Sequence, residues 1–250
     1  MISTALTDRR AVGVKSDLPP GMVILDKLSS LEQRYQDQKV SAICIEANKR
    51  IAASTLTQLG NFFIGKKTFG DRILGVNSPS LIPDPETDKR ASEVVLELLD
   101  ETGFSSNEAR QQAAIDIARD IQKITAIVQS LCPDRNVYSI LASNWVKNSK
   151  PHTDGKISAV VTYVSIPDES RQGYTSTEQS KQHFTTLCYG AESIVGASPK
   201  IKPFGGIQLG DLVIMKPDFV HGARKIPSEL TKNKDGVPHL VRISLLVTTD

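Results

Sequence analysis

The sequence predicts an α+β protein, and three observations predict it. Through most of residues 1–135, apolar residues recur every three or four positions, the period of an amphipathic helix. After Pro133 the period changes to two, and five stretches read as strands. The helices of the first half are one-sided, so their apolar stripes need a partner, and a sheet face is the natural one.

Residues 29–58 read as one or two helices. Ser29 and Glu32 have capping-box spacing, and Leu31, Tyr35, Ile43, Ala47 and Ile51 supply an interrupted stripe. Residues 61–83 are punctuated by Gly and Pro and read as loop with room for one short strand. A helix is expected over 88–100, with Ala91, Val94, Val95, Leu98 and Leu99 on one face and Gly103 as its stop. The clearest helix is 106–131. Ser105 and Glu108 repeat the capping-box spacing, and Ala114, Ile117, Ile121, Ile124, Val128 and Leu131 line one side until Pro133 ends it. The expected strands are 136–147, 156–166, 183–189, 206–216 and 239–248. A polar stretch, 167–182, separates the second and third, and its length marks it as either a lid or a surface loop. The expected organisation is one domain over 1–250, with 1–135 packing as helices on a core built from 136–250.

Composition narrows the function. Hydrophobic residues make up 39% and charged residues 23%, the balance of a globular protein, and the formal charge of +2 gives no broad footprint for nucleic acid. Lys147 and Lys150 read as a solvated loop. Cys44, Cys132 and Cys188 are far apart, odd in number and lack a CxxC pair, which argues against a disulfide framework or a zinc–thiolate site and fits a reducing cytoplasm. No apolar run is long enough to span a membrane, and Asp8, Arg9 and Arg10 fall where a secretory leader would be apolar.

The chemistry lies in the second half. His152-Thr153-Asp154 opens the stretch that becomes the 156–166 strand, and residues two apart on a strand point the same way. An imidazole and a carboxylate thus project into one space. His221 follows "GDLVIMKPDFV", at the end of a later strand. Two His and one carboxylate drawn from separate strands are the donor set of the facial triad, which leaves three positions open on an octahedral metal. In "HLVRISLLV", Arg242 and Ser244 share a strand face amid apolar neighbours. A guanidinium there needs a partner, and a ligand carboxylate gripped at two points is a good one.

These elements together resemble the 2-oxoglutarate/Fe(II)-dependent dioxygenase superfamily. The likeness rests on H-T-D at 152–154, "GDLVIMKPxxxxH" ending at His221, and R-I-S at 242–244, and it covers residues 136–250. It implies a double-stranded β-helix (jelly-roll, cupin-like) core flanked by the N-terminal amphipathic helices. It implies that His152, Asp154 and His221 ligate Fe(II), and that Arg242 with Ser244 binds the distal carboxylate of 2-oxoglutarate. With O2 as the second co-substrate, it implies hydroxylation or another oxidation with release of succinate and CO2, and the chain's size, without an added domain for reading protein or nucleic acid, favours a small-molecule substrate. Asp154 stands where related halogenases carry a small residue, so the resemblance points to oxygenation. The spacing from His221 to Arg242, 242 − 221 = 21 residues, is longer than the superfamily pattern, and "KIPSELTKNKDGVP" reads as an inserted hairpin tip.

Other residues have lesser claims. Arg224 competes with Arg242 for a carboxylate and is otherwise a substrate contact. Asn144 is a candidate for the co-substrate. Trp145 and Tyr138 are candidates to wall the substrate pocket, with a core position the alternative for Trp145. His183 and His239 read as surface or hydrogen-bonded histidines. The expected substrate is a small molecule, a free amino acid or a natural-product intermediate, with no nucleic acid or membrane partner, and the assembly state is open, a homodimer being one option. Two other readings remain: a cupin-like metalloenzyme that does not use 2-oxoglutarate, and a non-catalytic β-barrel binding protein. Arg242 separates the first from the lead, and metal content separates the second.

Overall fold

A computed structural model describes residues 18–63, 72–76, 108–143, 150–167, 186–190, 207–223 and 240–250. Their centre is a seven-stranded sheet in the order β1 (Met22–Ile24), β2 (Ala42–Ile45), β7 (Leu212–Met215), β5 (Ser158–Pro167), β9 (Leu240–Thr249), β4 (Val137–Ser143) and β3 (Arg72–Val76). All neighbouring pairs are antiparallel except β1 with β2. A second sheet pairs β6 (Thr186–Gly190) with β8 (Val220–Ala223). Among the described residues three α-helices accompany them: α1 (Leu31–Gln36), α2 (Ala53–Phe63) and α3 (Glu108–Leu131).

Side-chain alternation sorts the large sheet into two faces. Ile43 and Ile45, Leu212 and Ile214, Ala159 and Val161, and Ile243, Leu245 and Val247 point to one side. There they meet Ala114, Ile117, Ile121, Ile124 and Val128 of α3 and Leu59 of α2 in one buried cluster. Ala42, Cys44, Val213 and Met215 point to the other side and pack against Cys188 of the small sheet, Phe219 and Ile207. The small sheet therefore faces the large one across an apolar layer, and the helices back the large sheet. Two facing antiparallel sheets are the arrangement of a double-stranded β-helix, so the mixed α/β class and its jelly-roll core agree with expectation.

The first half is less helical than its periodicity predicts. Ala42–Ile45 is a strand between β1 and β7, with all four side chains buried. A four-residue run buried on both faces carries no period of its own, so in the sequence the helical stripe of its neighbours continues across it. The Ser29 capping box does not form either. The chain enters α1 through a 3-10 turn, Leu28–Ser30, and the Ser30 hydroxyl donates to the Lys27 carbonyl. The short strand allowed within 61–83 exists as β3. The expected helix over 88–100 and the lid over 167–182 lie outside the described residues, apart from Pro167 at the end of β5. The 206–216 strand is shorter, at 212–215, because Gly210 turns the chain with a φ of +78° just before it. A side chain at Gly210 would also lie 2.9 Å from the Ala47 Cβ, so close approach and backbone conformation both select glycine.

Candidate metal centre

His221 lies within β8, opposite Cys188. Paired residues share a face, and the Cys188 side chain is in the layer between the sheets, so His221 points there too. His152 reaches it through a single antiparallel bridge: His152 N–H donates to the His221 carbonyl at 2.8 Å, and His221 N–H returns a bond to the His152 carbonyl at 2.9 Å. The two imidazoles consequently stand side by side, with ring centroids 4.5 Å apart. Asp154 completes the group. Its Oδ1 lies 3.6 Å from His152 Nε2 and its Oδ2 3.4 Å from His221 Nε2. One ligand atom from each of the three residues lies within 4.8 Å of the others.

The strand that was expected to hold both ligands does not hold either. A turn at Gly155, with a φ of +66°, separates His152 and Asp154 from β5. Their position comes instead from the two backbone bonds to His221. The small sheet, extended by His152, is the platform of the site.

The donor chemistry fits a divalent cation. His152 Nδ1 is 2.8 Å from the Lys150 carbonyl, and His221 Nδ1 is 3.3 Å from the Phe219 carbonyl. A carbonyl only accepts, so each neutral ring carries its proton on Nδ1 and turns the Nε2 lone pair inward. Burial lowers the His221 pKa below its ordinary value, the Asp154 charge opposing that effect and the neighbouring His152 adding to it, so His221 is neutral at pH 7 and above. The Nε2 atoms of both rings and the Asp154 carboxylate thus face one another. A cation between them would satisfy all three, and a His ligand is usually oriented in this way, by a hydrogen bond from its other ring nitrogen. On an octahedral metal with bonds of about 2.1 Å, two adjacent ligand atoms lie roughly 3.0 Å apart, about half an ångström below the two carboxylate–imidazole spacings.

Arg242 and Ser244 lie on β9, across the inter-sheet space. Ile243 and Leu245 face the helices, so Arg242 and Ser244 face the small sheet. Arg242 is 7% exposed, and burial pulls its pKa down to about 10, which leaves it charged at neutral pH. Ser244 Oγ is 3.2 Å from Thr162 Oγ1, and Ser165 is directly opposite Arg242 in the ladder. The sequence reading missed Thr162 and Ser165. Their signal was present: two polar residues three apart in "VVTYVSI" can share a strand face only if a bulge intervenes. The ladder does shift register between Thr162 and Val164.

Tyr138 is on β4, opposite Thr248, and is 49% exposed. It shares the face of Ser244, whose β4 partner is Ala142, four residues along the strand. Asn144, Trp145, Arg224, His183 and His239 lie outside the described residues. The three cysteines are buried and unpaired as disulfides. Among the described residues, no helix is long and apolar enough to cross a membrane.

No family model and no curated protein matches the sequence. Solved structures do resemble the chain at low identity. The Fe(II)/α-ketoglutarate-dependent dioxygenase TqaL is 11% identical, with 88% of this chain and 86% of that one covered and a TM-score of 0.44. T7H from Neurospora crassa, solved with α-ketoglutarate, is 13% identical over 98% and 88% of the two chains, with a TM-score of 0.39. An oxidoreductase of the 2OG-Fe(II) oxygenase family from Burkholderia pseudomallei is 10% identical over 92% and 94%, with a TM-score of 0.38. Two of these structures to which the chain is similar, TqaL and the Burkholderia pseudomallei protein, are 2-oxoglutarate/Fe(II) oxygenases, and the third holds α-ketoglutarate.

Proposed function

We propose that the chain is a 2-oxoglutarate- and Fe(II)-dependent oxygenase that hydroxylates an unactivated C–H bond of a small molecule, a free amino acid or a natural-product intermediate. One observation carries the reading: His152, Asp154 and His221 bring two imidazole nitrogens and a carboxylate together within 4.8 Å of one another. Such a set calls for a cation, and its mixture of two nitrogens and one carboxylate suits Fe(II). Bound there, iron would supply a redox-active Lewis acid with positions left for the keto acid and O2.

The chain's own residues account for the rest. The Phe219 and Lys150 carbonyls orient the imidazoles. Arg242 supplies a charge on the opposite sheet for the far carboxylate of the keto acid, and Ser244 adds a hydroxyl beside it. Burial of Arg242 strengthens that attraction, since few waters compete. Arg224 and Asn144 are secondary candidates for the co-substrate or substrate, and Trp145 and Tyr138 for the substrate wall. With His152 and Asp154 about a quarter exposed, the site is open on one side, which suits a small substrate.

Anaerobic addition of Fe(II) and then 2-oxoglutarate should give the weak visible absorption of the chelate, and His152→Ala should abolish it. A screen of amino acids and small metabolites for substrate-stimulated succinate formation then identifies the substrate. If wild type binds no 2-oxoglutarate in the presence of Fe(II), the proposal is wrong. If turnover survives Arg242→Ala and yields no succinate, the chain is a metalloenzyme of another kind.

A further inference from the structure

The helix-side core of the large sheet encloses a buried ion pair that the proposed chemistry does not use. Asp120 of α3 receives two hydrogen bonds from Arg50 Nη1, each 2.6 Å, and a third from the Tyr163 hydroxyl at 2.9 Å. Arg50 and Asp120 side chains are each 1% exposed, and Tyr163 is fully buried. Arg50 Nη2 donates to the Gly210 carbonyl, and Gly210 N–H donates to the Thr162 carbonyl at 2.8 Å. The bonds form a closed ring: Thr162, Tyr163, Asp120, Arg50, Gly210 and back to Thr162. Asp211 fixes the same turn, accepting from the Ala47 and Gln208 amides.

Stability is a poor explanation for this ring. A buried ion pair gives little net stabilisation over apolar side chains of the same volume, and here Arg50 Nε is buried without a partner among the described residues. What such a pair can supply is specificity, and the ring encloses the one register shift of the β5–β9 ladder. Thr162 pairs with Ser244, Val164 with Ile243 and Ser165 with Arg242, so Tyr163 is the extra residue. Were β5 to run on without the bulge, Tyr163 would pair with Ile243, Val164 with Arg242, and Ser165 would turn to the helix side. The bulge is what places a hydroxyl rather than an isopropyl group opposite the guanidinium. It also lets Tyr163 and Val164 both enter the helix-side core.

We infer that Arg50, Asp120 and Tyr163 are positioning residues: they lock the Tyr163 bulge and thereby keep Ser165 and Thr162 beside Arg242 and Ser244 as one anion subsite. The inference rests on the proposed use of Arg242 for 2-oxoglutarate. It assigns the ring no contact with substrate.

The test uses the full chain with Mn(II) in place of Fe(II). A triple variant, Arg50→Met, Asp120→Leu and Tyr163→Phe, replaces the ring by apolar groups. It should fold cooperatively and bind Mn(II) as wild type does, while its Kd for 2-oxoglutarate rises about tenfold or more. Tyr163→Phe, the milder change, should raise that Kd about fivefold, what one buried hydrogen bond carries. Both should speed amide exchange across residues 162–165. If the triple variant does not fold, Tyr163→Phe decides. A folded variant with wild-type affinity for 2-oxoglutarate overturns the inference. Should wild type bind Mn(II) but no 2-oxoglutarate, the functional reading fails, and the register lock is then judged on amide exchange alone: unchanged exchange in both variants refutes it.

Discussion

Asp154→Asn separates a metal site from an ordinary His–Asp contact by the sign of its effect. In the metal-free protein at pH 7.5, His221 is neutral, because burial holds it below its usual 6.5. Its Nε2 lone pair faces Asp154 Oδ2 at 3.4 Å, and His152 Nε2 faces Oδ1 at 3.6 Å. Asparagine replaces one acceptor by an NH2 donor at the same distance. A new hydrogen bond of that kind contributes about 0.5–1.5 kcal/mol, and the partial exposure of residue 154 brings this to about 0.5–1 kcal/mol. For a chain of this size the melting temperature should then rise by about 1–4 °C. With Mn(II) at a hundred times its Kd the ranking should reverse: wild type gains about 2.7 kcal/mol by mass action, and the variant gains little. Thermal melts in chelator and in Mn(II) read both effects. If the contact were instead an imidazolium–carboxylate pair, Asp154→Asn would lower the melting temperature in chelator. That result would refute the argument.

Arg242→Met keeps the buried volume and removes the charge; it should weaken 2-oxoglutarate binding by about 2–3 kcal/mol, read by calorimetry with Mn(II) present, and leave Mn(II) affinity unchanged. Gly210→Ala forces an L residue to a φ of +78° and sets a Cβ 2.7 Å from Leu56 Cδ1 and 2.9 Å from Ala47 Cβ. Urea unfolding should show a loss of about 2–3 kcal/mol, and a loss under about 0.5 kcal/mol would mean the turn relaxes freely. Thr125→Val strands the buried Ser139 hydroxyl, now 2.7 Å from Thr125 Oγ1, at a cost of about 1–3 kcal/mol in the same assay.

The cluster of His152, Asp154 and His221 was legible in the sequence because histidine is scarce and each residue belongs to a strong local signal, the H-x-D spacing or the run that follows the Gly-Asp turn before β7. Their support was not. The reading placed His152 and Asp154 on β5, since a strand start explains H-x-D well, and it missed the turn that Gly155 makes. A bridge between residues 152 and 221 is a non-local pairing, and nothing near either residue announces it. The α3 helix was legible from its long stripe. β2 was not, because four residues buried on both faces look the same in a strand and in a helix.

The least legible part is the ring around Tyr163, and the reason is physical. Arg50, Asp120 and Tyr163 come from three separate elements, and each has an innocuous local reading: a charge after a short turn, a polar position on a helix, an aromatic in a strand. Asp120 falls three residues after Ile117 and four before Ile124, at the edge of the helix's apolar stripe, where a single carboxylate does not disclose its partner. What betrays it is a mismatch between two strands rather than any motif. Polar residues at 162 and 165 on β5, and at 242 and 244 on β9, cannot all share one face of a regular ladder, since three is odd and two is even. Given the R-I-S pair on one side, the T-x-x-S spacing on the other requires one extra residue between them. That residue must go into the core, and a tyrosine sent into the core needs a partner for its hydroxyl. Asp120 is that partner, and Arg50 is the charge that lets a carboxylate remain there.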